Sequence, residues 1–386
     1  MNPSFHNYKV LIQYEQHKRS FGTTVTEFTK KHTGFDSCME LDLIALDIEI
    51  RLRLGDPAFV EDYLQDFPQY QKQIRRTLDE VRSKFVETFC PLQDRFGLFP
   101  TKFADYMIHR EIGRGGMGVV YEATLGAEQK PCAIKIPFCK VSQNREAEIM
   151  ERVQHSGVCQ VLDVGEFQDT PYLCTNLING DSLKEMFSPT KILPVCTAVK
   201  IVRDVADCFQ WIHGRDVIHF DIKPSNIMME NNQIPIVTDF GLSTTTDRIR
   251  TKINEGRELA FGSPQYMAPE MFDRKFGTPG FQSDVYSLGT VLYELLTGRK
   301  PFMGSPDTIA EQVCNYPPAR PSDFEHVDID SHSGTICLET ICLNAMQKHT
   351  CDRTPSVTAF GQQLGQWQNR QQRRPVVSLL PRVNAA

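Results

Sequence analysis

The stretch that decides the fold is Val217-Ile218-His219-Phe220-Asp221-Ile222-Lys223-Pro224-Ser225-Asn226. It follows a run of apolar residues on one helical face that ends at Gly214, so it is predicted to be a loop after a packed helix. In such a loop Asp221 can accept the proton of a hydroxyl group and orient that hydroxyl, and Lys223 can neutralise a phosphoryl group in transfer. Asn226 offers an oxygen atom to a hard cation. The apolar residues of the preceding helix are Ala198, Ile201, Val202, Val205, Phe209 and Ile212.

The residues between Asn226 and the triplet Asp239-Phe240-Gly241 are predicted to form a β-hairpin. Ile227-Met228-Met229 leads out, Glu230-Asn231-Asn232 turns, and residues 234–238 lead back. This hairpin returns Asp239 to the end at which Asn226 lies, so that both side chains could reach one Mg²⁺ ion. An Asp-Phe-Gly triplet is common by chance, but one placed across a hairpin from such a loop is not, which favours a chemical role for both residues.

A glycine-rich segment precedes this region and reads Ile112-Gly113-Arg114-Gly115-Gly116-Met117-Gly118-Val119-Val120-Tyr121. Its GxGxxG spacing also occurs in dinucleotide-binding folds, where a helix must follow the glycines. Here the β-formers Val119, Val120 and Tyr121 follow, so the glycines are predicted to join two strands and to lay backbone N–H groups over phosphates. Taken alone, the pattern would also suit an ordinary glycine hairpin.

A short apolar strand, Cys132-Ala133-Ile134-Lys135, ends in a lysine. Such a lysine often only reaches solvent along the strand, but Lys135 could instead hold the α- and β-phosphates of a nucleotide. In that role it needs an acidic partner, for which Glu146 is the candidate on a helix predicted over about residues 143–155. Glu148 and Glu151 lie on the same helix and are predicted to be solvated.

Together these motifs resemble the eukaryotic-type (Hanks-type) protein kinases, and in particular their bacterial serine/threonine branch, over about residues 106–369. The resemblance implies an α+β, bilobal fold with a β-rich N-lobe and a helical C-lobe. It also implies transfer of the ATP γ-phosphoryl group to serine and threonine hydroxyls of proteins. The implied catalytic residues are Asp221, Lys223, Lys135 and Glu146, and the implied Mg²⁺ ligands are Asn226 and Asp239. The nine-residue separation of Glu146 and His155 along the sequence matches this family. A lysine two residues after the aspartate, here Lys223, is typical of serine/threonine kinases.

The same resemblance implies the nucleotide site. Residues 171–178 are similar to the strand that leads into the hinge, which would make Thr175 the gatekeeper and place adenine against the backbone of Asn176 and Ile178. The implied ATP-binding residues are Ile112, Gly113, Arg114, Gly115, Gly116, Met117, Gly118, Val119, Val120, Ala133, Lys135, Thr175, Asn176 and Ile178.

Two further matches concern the support of the site, and one departure concerns its control. Ala268-Pro269-Glu270 resembles the end of the activation segment, with Arg353 predicted to pair with Glu270, and Asp284 resembles the aspartate that braces the catalytic loop. The usual His-Arg-Asp motif is His219-Phe220-Asp221 here. Because phenylalanine cannot bind a phosphate, Phe220 is predicted to pack under the catalytic loop, and basal activity is not expected to depend on phosphorylation of the segment. The candidate hydroxyls are Ser243, Thr244, Thr245, Thr246 and Thr251.

Two alternatives stay open at this point. One is a catalytically weak kinase-fold scaffold that binds nucleotide and partners, although such proteins usually lack one of the lysine, the catalytic aspartate or the magnesium aspartate. The other is a small-molecule kinase, against which the segment from Gly262-Ser263-Pro264 to Ala268-Pro269-Glu270 counts because it resembles a protein-substrate platform.

Composition limits the compartment and the partners. With 40% apolar and 23% charged residues the chain can form a packed core, and its net charge of −6 argues against nucleic acid as a partner. Neither a signal peptide nor a run of 18 apolar residues is evident, so no membrane span is expected. Twelve cysteines without a CxxC spacing favour reduced thiols in the cytoplasm. Protein substrates and ATP are the expected partners, and a homodimer would allow autophosphorylation.

The chain is predicted to comprise a helical N-terminal region with a linker (residues 1–104), a protein kinase domain (105–370) and a C-terminal tail (371–386). Residues 44–54 alternate like a strand, but Ser37 with Glu40, and Gly55, are typical of helix ends, so a helix is favoured. A second helical stripe is formed by Tyr70, Ile74, Leu78, Val81, Phe85 and Phe89. Two prolines and Gly97 then indicate a linker over residues 91–104.

Overall fold

The structure is a computed structural model that describes residues 25–31, 40–41, 43–44, 46–47, 63, 66–70, 72–74, 99–115, 118–137, 140–168, 170–187, 192–254, 262–304, 306–324 and 337–372. The elements from Thr101 onward form two lobes, as the resemblance predicted. The first is built on an antiparallel sheet and one helix, and the second is mainly helical.

The N-lobe sheet contains six strands in the order β1-β2-β3-β4-β6-β5, and each neighbouring pair is antiparallel. The strands are β1 Thr101–Phe103, β2 Tyr106–Gly115, β3 Gly118–Leu125, β4 Lys130–Pro137, β5 Val161–Phe167 and β6 Thr170–Asn176, and helix α2 Lys140–Arg152 lies between β4 and β5. A shorter helix, α1 Val25–Lys31, precedes them. The register pairs Lys135 with Val120 on one side and with Leu173 on the other, so the centre of the sheet fixes this lysine.

The C-lobe is arranged around helix α7, Phe281–Thr297, whose residues from Ser283 to Thr297 are all buried. Helix α4, Val195–His213, packs on α7 and on the last helix, α10, Val357–Gln372. The other elements are α3 Leu183–Met186, β7 Ile227–Glu230, β8 Ile234–Val237, α5 Thr246–Asn254, α6 Pro269–Phe272, α8 Pro306–Asn315 and α9 Leu338–Ala345. Both the α4 helix, capped by Gly214, and the β7–β8 hairpin are therefore confirmed.

The prediction of a linker over residues 91–104 is partly wrong, because Thr101–Phe103 is an edge strand of the sheet. It reaches β2 through a two-residue turn in which Ala104 has a φ of 52°. Alanine is not a typical residue at a left-handed turn position, so the sequence carries no turn signal there. Aromatic side chains explain the pairing: the Phe103 ring lies 5.2 Å from Phe167 and 5.6 Å from Tyr172, centroid to centroid.

The bounds of α2 also differ from the prediction. The helix was expected over about residues 143–155, whereas it begins at Lys140 and ends at Arg152. After its end, the Val153 N–H bonds to the Met150 carbonyl in a tight turn, and the Gly157 N–H donates to His155 Nδ1. These local hydrogen bonds end the helix without a glycine or proline at the boundary.

Little of the N-terminal region is described. Its described residues around positions 43–47 are helical, which favours the helix interpretation there, and the Tyr63 hydroxyl donates to Asp47 Oδ2 at 2.6 Å. Ser37, Gly55 and most of the second stripe lie outside the described residues. Buried apolar residues are Val25, Phe28, Leu43, Ile44, Tyr63, Phe67, Tyr70 and Ile74.

Two general expectations concern thiols and membranes. The cysteines that the structure describes are free thiols, and Cys132, Cys159, Cys174, Cys208 and Cys342 are buried. Among the described helices, none has the length and apolar character that crossing a bilayer requires.

Edge strand β1 is expected to stabilise the N-lobe through Phe103, whose side chain is fully buried. We predict that Phe103→Ala lowers the free energy of unfolding by about 3–5 kcal/mol, since it deletes a buried aromatic ring. Met107→Ala on the neighbouring strand is the control, because Met107 is 39% exposed, and it should change stability by no more than about 0.5 kcal/mol. Urea denaturation measures both. Equal effects of the two substitutions would show that β1 is not part of the folded lobe.

Candidate active site

A buried carboxylate fixes the backbone of the predicted catalytic loop (residues 219–226). Asp284, on α7, is fully buried and accepts the His219 N–H at 2.9 Å and the Phe220 N–H at 3.0 Å. His213, at the end of α4, contacts the same carboxylate at 2.9 Å. Phe220 has a φ of 64°, an uncommon backbone conformation for a bulky residue, and these hydrogen bonds hold it there. The bracing role predicted for Asp284 is thus seen in its contacts.

Three hydrogen-bond donors hold the carboxylate of Asp221. Its Oδ2 atom accepts from Lys223 Nζ at 2.6 Å and from Asn226 Nδ2 at 3.1 Å, and its Oδ1 atom accepts the Ser263 N–H at 3.0 Å. Lys223 also donates to Ser263 Oγ at 3.0 Å. Asp221 is 7% exposed, so its orientation is set by protein groups rather than by solvent. Its Oδ1 atom accepts a single one of these bonds and has a further lone pair, so it can still accept a proton or a hydroxyl hydrogen bond.

Ser263 is a residue of the site that the sequence reasoning missed. Its backbone N–H and its hydroxyl both bind the pair Asp221–Lys223, although it lies 40 residues after Lys223. The signal was present in the triplet Gly262-Ser263-Pro264, where a hydroxyl stands a few residues before Ala268-Pro269-Glu270. Only the return of the chain to the catalytic loop brings that hydroxyl to Lys223.

Lys135 is held between two carboxylates. Its Nζ atom donates to both Glu146 oxygens at 2.8 Å and to Asp239 Oδ1 at 2.7 Å. Burial alone would lower the pKa of Lys135, but Asp239 and Glu146 outweigh burial and raise it, so the ammonium stays charged. Burial likewise acts to raise the pKa of Asp239, but the Lys135 charge overcomes it and lowers that pKa. Burial raises the pKa of Glu146, an effect that Lys135 opposes.

The hairpin of β7 and β8 brings the two predicted cation ligands to one end. Thr238, next to Asp239, bonds to the Asn226 carbonyl through both its N–H and its hydroxyl, at 2.9 and 3.2 Å. The Asn226 amide nitrogen donates to the backbone carbonyl of Asp221 at 2.9 Å, which leaves the amide oxygen as the atom that could face a cation. Among the described residues no group of three or more His, Cys, Asp or Glu could hold a metal alone. Two oxygen donors fit Mg²⁺, which keeps water and phosphate as its other ligands.

The glycine-rich segment is a hairpin between β2 and β3, with Gly113 paired to Val120 and Gly115 to Gly118. A Cβ atom at Gly118 would collide with the Ile136 carbonyl of β4, so the close approach of these strands requires glycine. Gly116 and Met117 lie outside the described residues. The arrangement is the strand-to-strand one predicted, and it does not continue into a helix.

The predicted hinge lies at the end of β6. Ala133 pairs with Thr175 across β4 and β6, so the two residues lie side by side. Asn176 is fixed by residue Gln160: its N–H donates to the Gln160 carbonyl at 3.0 Å, and its Oδ1 accepts the Gln160 N–H at 2.7 Å. Ile178 packs partly buried against the C-lobe core. In the glycine-rich segment, Ile112 is 39% exposed, and Arg114 forms an ion pair with Glu111 at the surface.

The activation segment (residues 239–270) is described up to Asn254 and again from Gly262. Phe220 is 5% exposed within the C-lobe core, as predicted. Among the candidate phosphorylation sites, Ser243, Thr244 and Thr245 are buried, and the Thr246 hydroxyl donates to Asp216 Oδ1 at 2.7 Å. Thr251 is exposed on α5. In this conformation most of the candidate hydroxyls are therefore shielded from the active site of another copy of the chain.

The far end of the segment is anchored by a buried ion pair. Arg353 donates from two nitrogens to the two oxygens of Glu270, at 2.7 and 2.8 Å, and the arginine is 3% exposed. Ser283 Oγ also donates to Glu270, at 2.7 Å. The predicted pairing of Arg353 with Glu270 is confirmed. Its bidentate geometry makes such pairs strong and directional.

Comparison with known proteins gives consistent matches. The protein kinase domain family matches residues 106–349, more than half of the chain. The chain is 31% identical over 274 residues to a probable serine/threonine-protein kinase PknB of Corynebacterium glutamicum, covering 67% of this chain and 42% of that protein. It is 34% identical over 231 residues to the serine/threonine-protein kinase PknE of Mycobacterium tuberculosis, covering 58% and 40%. The chain thus spans about two fifths of the length of these curated relatives.

Gly262 offers a test of how Asp221 is held. A Cβ atom there would come within 2.5 Å of the Phe220 carbonyl and 2.6 Å of Asp221 Oδ1, so Gly262→Ala must displace the carboxylate. We predict that the ATP-dependent transfer implied by the resemblance falls on the order of 10²-fold, because small displacements of reacting groups have effects of this size.

The matched control is Gly365→Ala in α10, where the nearest neighbour, Arg203 Cδ, would be 3.7 Å away. It should keep full transfer and slightly raise the melting temperature, since alanine is favoured over glycine within a helix. Unchanged transfer in folded Gly262→Ala would show that the position of Asp221 does not limit the reaction.

Proposed function

Because this chain belongs to the protein kinase family, we propose that it transfers the γ-phosphoryl group of ATP to serine and threonine hydroxyls of proteins. The observation that carries the proposal is the set of contacts around Asp221. Lys223, Asn226 and Ser263 hold this carboxylate in one orientation at the end of a braced loop. The relatives named as serine/threonine-protein kinases support the choice of acceptor.

In the proposed reaction the substrate hydroxyl lies against Asp221. Its oxygen bonds to the γ-phosphorus, the bond from that phosphorus to the leaving oxygen of ADP breaks, and the hydroxyl proton passes to Asp221. Lys223, 2.6 Å from Asp221, stabilises the negative charge on the phosphoryl group in transfer. The carboxylate neighbours of Lys135 raise its pKa and keep it charged, so it can bind the α- and β-phosphates with the donor that now contacts Asp239, while Glu146 keeps it in place.

We propose Asn226 and Asp239 as the residues that would hold Mg²⁺. Their oxygen donors at one end of the hairpin suit a hard cation, and Asp239 is ionised because Lys135 lowers its pKa. When bound, Mg²⁺ would neutralise charge on the ATP phosphates. The nucleotide itself is proposed to lie between the glycine-rich hairpin and the hinge, with Thr175 as gatekeeper and the adenine against Asn176 and Ile178.

Other parts of the proposal concern the whole protein. We propose a role in cytoplasmic signalling, with autophosphorylation through a homodimer, and the division into residues 1–104, 105–370 and 371–386. The free thiols of the described region and the acidic net charge support a reducing compartment and protein partners. A catalytically weak scaffold is not favoured, since Lys135, Asp221 and Asp239 are all present and in contact with charged partners.

The decisive experiment incubates the full chain with labelled ATP, Mg²⁺ and a general protein substrate, and identifies the phosphoamino acids formed. Phosphoserine and phosphothreonine are expected. We predict that Asp221→Asn lowers transfer by about 10²- to 10⁴-fold, the usual contribution of a general base, while ATP binding is nearly unchanged. Asp204→Asn, a surface carboxylate of α4 paired with Lys200, is the control and should behave as the wild type. Phosphotyrosine alone as the product would refute the proposal.

A separate prediction concerns the cation. Asp239→Asn removes an anionic ligand, so the increase in ATP affinity that Mg²⁺ produces should fall at least about 10-fold. Isothermal titration of ATP with Mg²⁺ and again with a chelator measures this increase. In the chelator, the variant should bind ATP at least as tightly as the wild type, because no Mg²⁺ is present in either case and the loss of the Asp239 charge frees one Lys135 donor for phosphate. An unchanged effect of Mg²⁺ in the variant would place the cation elsewhere.

A further inference from the structure

Two arginines connect helix α2 with the activation segment in opposite directions. Arg145, the residue before Glu146 on α2, donates from its guanidinium to the Ser243 carbonyl at 3.0 Å. Arg248, on α5 of the segment, donates in turn to Glu148 of α2 at 2.7 Å. Each element thus supplies one arginine and one acceptor, so that the two contacts link α2 and the segment at two separate points.

These contacts lie on either side of the glutamate that binds Lys135. Arg145 and Glu148 are three residues apart and so share one face of α2, whereas Glu146 is 4% exposed and points to Lys135. A helix moves as a rigid unit, so whatever fixes residues 145 and 148 also fixes Glu146. The position of Glu146 in turn fixes the position of the Lys135 ammonium.

The segment is ordered at this point by contacts among unmodified residues. Ile218 and Thr244 exchange two backbone hydrogen bonds of 2.8 and 2.9 Å, and Ile249 of α5 is 3% exposed. Phe220 occupies the position at which an arginine would bind a phosphate, and its side chain is buried. Other groups must therefore hold the segment against α2.

We infer that Arg145 and Arg248 are positioning residues which hold α2 against the activation segment, so that Glu146 stays on Lys135 without any phosphate on the segment. This inference rests on the proposed phosphoryl transfer for its functional readout. The two arginines act through Glu146 and Lys135, and neither contacts the reacting groups.

The surroundings of the two arginines rank their contributions. Arg145 is half-buried, and within the part of the chain that the structure describes its Nε atom is buried with no acceptor. Burial, and then the charge of Arg248, lower the pKa of Arg145, while Glu148 opposes them, so all three charged groups act on one another. The Arg248–Glu148 pair is more open, with side chains 41% and 56% exposed. A hydrogen bond from a partly buried charged donor is stronger than an exposed ion pair, so Arg145 should matter more.

The first experiment replaces Arg145. Arg145→Met approximately keeps the length of the side chain and removes its donors. We expect kcat/KM for ATP to fall about 10- to 100-fold, the range for loss of a hydrogen bond from a charged group. KM for the protein substrate should hardly change, because the substrate platform is not touched. Arg145→Lys keeps one charged donor and should restore part of the loss. Melting temperatures close to that of the wild type show that the variants are folded.

The second experiment exchanges the charges of the exposed pair. Arg248→Glu and Glu148→Arg each place like charges together and should lower kcat/KM for ATP about threefold, as expected for exposed pairs. The double variant restores the pair with reversed charges and should recover wild-type values. Arg250→Glu is the matched control, since Arg250 lies on the same helix, is 78% exposed and has its nearest carboxylate, Asp247, within the helix at 3.7 Å. It should have no effect.

The outcomes separate this inference from the proposed function. Wild-type kcat/KM for ATP in folded Arg145→Met, or no recovery in the charge-exchanged double variant, would overturn the inference. A wild-type chain that transfers no phosphoryl group would instead refute the proposed function. In that case the inference is still tested by isothermal titration of ATP with Mg²⁺, in which Arg145→Met should bind more weakly than the wild type and Arg250→Glu should not.

Discussion

The rest of the site depends on one buried carboxylate, that of Asp284 in the central helix of the C-lobe. Without a partner, a charge at this depth would be strongly unfavourable, and three donors satisfy it: His213 and the backbone N–H groups of His219 and Phe220. Those bonds hold Phe220 at a positive φ and so turn the chain sharply before Asp221. The neighbouring ring of His219 completes the bracing, since its Nδ1 atom accepts the Asp221 N–H at 3.2 Å. The catalytic loop is thereby shaped by the core of the lobe.

A second constraint connects the two lobes through charge. Lys135 belongs to the sheet, Glu146 to α2 and Asp239 to the start of the activation segment, and the single ammonium group satisfies both carboxylates. A buried ion triad of this kind is sensitive to geometry, because a displaced member leaves a buried charge uncompensated. The position of α2 is therefore important for this triad, and the proposed positioning contacts between α2 and the activation segment act on the triad through Glu146.

The sequence predicted local structure well where interactions between residues close together along the chain decided it. The α4 helix and the β7–β8 hairpin follow from apolar periodicity and turn residues, and both are present. One prediction was wrong because neighbours in space decided the outcome: Thr101–Phe103 is a strand because Phe103 packs on Phe167 and Tyr172. The bounds of α2 were wrong for a local reason, since a backbone turn after Arg152 closes the helix without a glycine or proline at the boundary.

The sequence by itself determined the kinds of group in the site and their order: Lys135, Glu146, Asp221, Lys223, Asn226 and Asp239. The resemblance also named two of the pairs, Lys135 with Glu146 and Arg353 with Glu270, but the other hydrogen-bond partners were decided by the tertiary structure alone. It brought Ser263 to Lys223 across 40 residues and Arg145 to the Ser243 carbonyl across 98. It also buried Ser243, Thr244 and Thr245, which the sequence offered as accessible hydroxyls. The physical reason is that periodicity and motif spacing report the near neighbours of a residue along the chain. Burial and long-range hydrogen bonds depend on how helices and sheet pack, which no single stretch of sequence encodes.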